Sequence, residues 1–161
     1  KNASPLKLIS DHYLTVWGRP SAELHPLHGD LSLDNVIVEN DSVRFIDWEH
    51  FKNEAAPWGF DLFYLIFETY WFNTKSVFFS KKNSLLSVSN VFLYLAQSHE
   101  IPEERLLNPL SSVISFIKEN FSLWGHQLIA YPMKLPILQF SDIEVNMIDD
   151  FINKQLLIEE R

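Results

Sequence analysis

Two runs in this sequence carry strand chemistry, Val36-Ile37-Val38 and Val43-Arg44-Phe45-Ile46, separated by the polar turn Glu39-Asn40-Asp41-Ser42. Two short runs make a hairpin, which is too little for a doubly wound sheet. The core must come from helices. The sequence therefore predicts a mainly α fold with a small β-hairpin, in one domain spanning residues 1–161.

Apolar spacing of three and four places those helices. Leu6, Ile9, Tyr13, Val16 and Trp17 recur on one face from Pro5 to Trp17, with Pro5 suited to a first turn and Gly18 to a stop. Further helices are predicted over Phe60 to Phe72, Leu85 to Ser98, Pro109 to Trp124 and Ser141 to Ile158. The last opens on Ser141 and Glu144, spaced for a reciprocal capping box. No internal repeat or low-complexity segment interrupts the pattern.

Composition excludes several classes of function. The chain has 47% apolar and 14% aromatic residues, enough to bury a core, and it has no cysteine. Disulfide scaffolds, thiolate zinc sites and cysteine nucleophiles are thereby ruled out. Thirteen basic against twenty-one acidic residues give a net charge of −8, with no basic run to track nucleic acid. Phe60 to Phe72 carries Asp61 and Glu68 and falls short of the roughly twenty residues a bilayer span needs. The first twenty residues lack a secretory h-region, so the cytoplasm is the expected compartment and no membrane partner is expected.

The chemistry concentrates in His25-Pro26-Leu27-His28-Gly29-Asp30-Leu31-Ser32-Leu33-Asp34-Asn35 and, after the hairpin, Phe45-Ile46-Asp47-Trp48-Glu49. An Asp, an Asn five residues on, and a second Asp at the exit of a ribbon is the order of parts in a phosphoryl-transfer site. Such a site needs a carboxylate to orient an acceptor hydroxyl and take its proton, a role that suits Asp30. It also needs oxygen ligands for the magnesium that neutralises ATP, a role that suits Asn35 and Asp47. The hairpin is the spacer that returns the second Asp to the first loop.

These motifs, His28-Gly29-Asp30 with Asn35 and Ile46-Asp47-Trp48-Glu49, resemble those of the aminoglycoside phosphotransferase and choline kinase family. The resemblance implies the C-terminal lobe of a protein-kinase-like fold and an ATP-dependent O-phosphotransferase acting on an aminoglycoside, choline, a sugar or a similar small hydroxylated molecule. It implies Asp30 as catalytic base, Asn35 and Asp47 as magnesium ligands, His28 as a residue steadying the loop, and Asp61 as the anchor behind it. The specific match covers Leu27 to Leu62, and the chain departs from many relatives at Ser32-Leu33-Asp34.

No glycine-rich phosphate loop and no lysine-bearing strand precede Pro5. The expectation is a fragment, inactive alone, that needs a nucleotide-clamping N-terminal lobe in cis or in trans. A kinase-like binding module without catalysis is the competing reading, and a zinc hydrolase built on His25, His28 and Asp30 is a third. Glu49 serves either a second metal or a turn. Glu68, Glu119 and Asp142 are candidates for holding a cationic acceptor, while the aromatic residues from Phe60 to Phe79 suit packing better than a pocket. His12, His50, His99 and His126 read as surface or core residues.

Overall fold

A computed structural model describes residues 4–78, 80–120 and 135–158. Helix α1 (Pro5–Trp17) begins where Ser4 Oγ accepts from the Lys7 amide, carries Pro5 in its first turn, and stops at Gly18 with φ +74°. Its buried stripe of Ile9, Ser10, Tyr13 and Trp17 follows the predicted spacing.

The predicted hairpin forms as β2 (Val36–Glu39) against β3 (Ser42–Phe45), in register from Val36 opposite Phe45 to Glu39 opposite Ser42. Asn40 and Asp41 make the two-residue turn at φ +49° and +63°, the left-handed pair that matches strand twist. Val43 and Phe45 face inward while Ser42 and Arg44 face solvent.

A second antiparallel ribbon corrects the expectation of one. Strand β1 (His25–Leu27) pairs with β4 (Lys52–Ala56), with Leu27 opposite Lys52 and His25 opposite Ala56. Because β1 precedes and β4 follows the hairpin, the second ribbon closes the whole active-looking segment into a loop tied at its base.

The helical remainder comprises α2 (Phe60–Lys75), α3 (Lys81–His99), α4 (Pro109–Glu119) and α5 (Asp142–Ile158). Helix α2 is the hub: residues Phe60 to Glu68 are all buried, and it contacts α1, α3, α4 and the short turn Pro136–Gln139. Phe92 of α3 packs against both Phe63 and Phe67. Buried apolar side chains from Ile9 to Leu156 form one cluster. The capping box is present, with Ser141 N–H donating to Glu144 Oε2 at 2.9 Å and Glu144 N–H donating to Ser141 Oγ.

Helix α2 runs one turn past the predicted Phe72, and α3 starts four residues before Leu85. The predicted extension of α4 to Trp124, together with His126 and Phe79, lies outside the described residues. Helix α4 opens at Asn108, whose own side chain does not cap it. Buried Asp149 of α5 does so instead, accepting from the Leu110 amide at 2.9 Å, the Ser111 amide at 3.0 Å and the Ser111 hydroxyl at 2.6 Å. Among the described residues, no helix is long and apolar enough to cross a membrane.

Candidate active site

The loop after β1 is held from three sides. At its start, the Asp61 carboxylate in the first turn of α2 accepts from the His28 amide at 2.8 Å and from the Gly29 amide at 3.4 Å. Gly29 has φ +85°, and a Cβ there would stand 2.6 Å from the His50 carbonyl oxygen, so the backbone passes where a side chain cannot fit. Further along, Glu68 of α2 accepts from the Leu33 amide at 2.7 Å.

The third tie is the His28 ring. Its Nε2 lies 2.9 Å from the Ile46 carbonyl oxygen, which can only accept, so the proton sits on Nε2. Its Nδ1 then accepts from the Asp30 amide at 3.3 Å. This is a neutral imidazole, and burial lowers its pKa, partly offset by the Ile46 bond and the nearby Asp30 and Asp47 charges.

One side chain thus joins the loop bearing Asp30 to the strand exit bearing Asp47. The Ile46 amide adds a second link, donating to the Asn35 carbonyl oxygen at 3.0 Å. Asp30 and Asn35 meet directly: Asn35 Nδ2 donates to the Asp30 main-chain oxygen at 2.8 Å and to its carboxylate Oδ2 at 3.1 Å. Two acceptors on the nitrogen fix the orientation of the amide. Asn35 Oδ1 is therefore turned the other way, in a residue only 8% exposed.

Asp47 adopts the left-handed region at φ +61°, ψ +64°, which Asp tolerates better than most residues, and it is exposed. Trp48 beside it donates from Nε1 to the Phe45 carbonyl, stacks on Trp17 at 5.4 Å and lies 4.6 Å from the His28 ring. The structure therefore brings Asp30 and Asn35 into contact and sets Asp47 one residue beyond the Ile46 clamp.

No family model, curated protein or solved structure matches the chain. What the site can do is read from its own geometry.

Two buried acids behind the loop are electrostatically unusual. Burial pushes Asp61 up to about 7 against the opposing effect of the two amides, and the Asp30 charge adds to the rise. Burial likewise raises Glu68 to about 7, offset by the Leu33 amide and reinforced by Asp30 and Asp34. Of the three acceptor-site candidates, Glu68 reaches the loop, whereas Glu119 and Asp142 are exposed in terminal turns of α4 and α5. Its use as a clamp on Leu33 was missed, because the bond joins residues 35 positions apart.

The donor chemistry fits a hard divalent cation. A buried amide oxygen and two nearby carboxylates are oxygen donors, and magnesium needs few protein ligands because it keeps several waters. Among the described residues no group of three or more His, Asp or Glu side chains converges as a metal cluster. The zinc alternative finds its imidazoles engaged: His25 Nε2 accepts from the Ser21 and Ala22 amides, and both nitrogens of His28 are bonded. Glu49 pairs with His50 at 3.1 Å. A separate groove of about 230 Å³ lined by Trp58, Phe60, Phe63 and Phe116 includes none of Asp30, Asn35 or Asp47.

Proposed function

We propose that the chain carries the catalytic centre of an ATP-dependent O-phosphotransferase for a small hydroxylated molecule. The observation that supports it most is the Asn35 amide, which steadies the Asp30 carboxylate with its nitrogen and leaves its oxygen for a cation.

In this reading Asp30 holds the acceptor hydroxyl in line with the terminal phosphate and receives its proton. The acceptor oxygen forms a bond to phosphorus as the bond to the bridging oxygen of the nucleoside diphosphate breaks. Magnesium at Asn35 Oδ1 and Asp47 would neutralise polyphosphate charge. His28 stays neutral and positions both segments, and Asp61 and Glu68 fix the loop from behind. A nucleotide-clamping lobe, in cis or in trans, completes the cleft.

The test is made on the full-length protein against a panel of hydroxylated amines and sugars. Asp30→Ala should lower turnover by at least about a hundredfold. Asp47→Ala should abolish magnesium-dependent ATP binding in titration calorimetry. Unchanged turnover in the first would remove Asp30 from the chemistry. No metal-dependent binding in the parent protein would favour the non-catalytic module.

A further inference from the structure

At the far end of α2 the chain makes a turn of a different character. Val77 and Phe78, between α2 and α3, are 92% and 89% exposed. The turn is nonetheless shaped from within: the Ser76 amide donates to the Asn73 carbonyl at 3.2 Å, and Ser76 Oγ accepts from the Phe78 amide at 3.2 Å. These hydrogen bonds fix the chain where it presents two large apolar side chains to solvent, and Phe72 on the adjoining helical turn is also half exposed.

The charge around this tip is the reverse of the chain's. Lys75 ends α2, and Lys81 and Lys82 open α3, all three exposed. From Thr69 to His99 the sequence has these three lysines and no Asp or Glu, in a chain of net charge −8. Glu144 of α5 shares a pocket with Lys75 and Lys81 and is held below the usual carboxylate range first by its bonds to Ser141 and more weakly by these two lysines. Lys75 also lies over the Trp71 ring at 4.1 Å.

We propose that the α2–α3 turn docks on an anionic bilayer surface. Val77 and Phe78 enter the boundary between headgroups and acyl chains, and Lys75, Lys81 and Lys82 meet the anionic headgroups. An apolar tip with a lysine-rich collar fits a lipid surface, where headgroups supply a continuous opposite charge and the interior accepts the tip. The acidic remainder of the molecule is repelled by the same surface, which makes the contact oriented. This is contact from one side, without a span. Helix α2 has 16 residues, so at 1.5 Å per residue it holds the tip roughly 24 Å from the end where Asp61 grips the loop. The docked molecule keeps Asp30 clear of the lipid, and the inference stands whether or not the chain transfers phosphate.

Cosedimentation of the full chain with phosphatidylserine-containing phosphatidylcholine vesicles tests it. Binding should be at least about tenfold weaker on phosphatidylcholine alone, and equally so for Lys81→Glu/Lys82→Glu and for Val77→Ser/Phe78→Ser. All four positions are exposed, so thermal unfolding should match the parent and exclude misfolding as the cause. Absence of binding to the anionic vesicles, or equal binding by the variants, overturns the proposal. It is equally overturned if sedimentation equilibrium finds a dimer that Val77→Ser/Phe78→Ser dissociates, because a second copy then covers the tip.

Discussion

Asp61 Oδ2 lies 2.8 Å from the main-chain nitrogen of His28, a residue 33 positions earlier. That bond couples the start of α2 to the loop carrying Asp30, so the position of the loop depends on one buried carboxyl. Asp61→Ala should leave the His28 and Gly29 amides buried without an acceptor and cost roughly 2–4 kcal/mol in urea unfolding. Asp61→Asn keeps the shorter bond and should cost clearly less, the Gly29 contact being long at 3.4 Å.

Glu68 gives the fold a pH dependence. Its folded pKa is raised to about 7 from 4.5, so between those values the folded state binds more protons than the unfolded chain. Its contribution is fully present below 4.5 and is lost as pH rises through about 7. Glu68→Gln still offers an oxygen to the Leu33 amide but cannot ionise. Unfolding free energies measured across that window should fall less steeply in the variant, by about 3 kcal/mol in total.

Glycine at position 29 is required twice over, by a positive φ and by the His50 backbone. Gly29→Ala should destabilise by at least about 2 kcal/mol and shift the NMR signals of Asp30 and His50. Gly18 shares the positive φ but has open space beside it. Gly18→Ala would therefore meet no clash, but at φ +74° and ψ −172° an alanine is strained, at a cost of roughly 1–3 kcal/mol.

Much of this was legible in the sequence. Pro5 and Gly18 bracket α1, and Ser141 and Glu144 announce α5. The β1–β4 ribbon gave no signal, because Lys52-Asn53-Glu54-Ala55-Ala56 has no β-branched or aromatic residue and β1 is three residues long with a proline. Pairing there is imposed by tertiary closure. The polar first turn of α3 hid its start from apolar periodicity, although the Ser80 cap, accepting from the Asn83 amide at 3.0 Å, was readable. The clamps by Asp149 and Glu68 link residues far apart in sequence, which no local pattern encodes.

Asp149→Ala tests one such clamp. Three hydrogen bonds at the start of α4 would be lost, at a cost of roughly 2–4 kcal/mol. Amide exchange should accelerate most at Leu110 and Ser111, ahead of the helix interior.

The same carboxylate sets an order of events on the ribosome. Helix α4 emerges before the segment that completes its first turn, and Asn153 of that segment also holds the Asn108 amide at 3.0 Å. A nascent chain arrested between the two must carry a frayed α4 and an uncovered apolar flank. Helix α5 therefore latches α4, and until it docks the start of α4 stays exposed to proteases and chaperones.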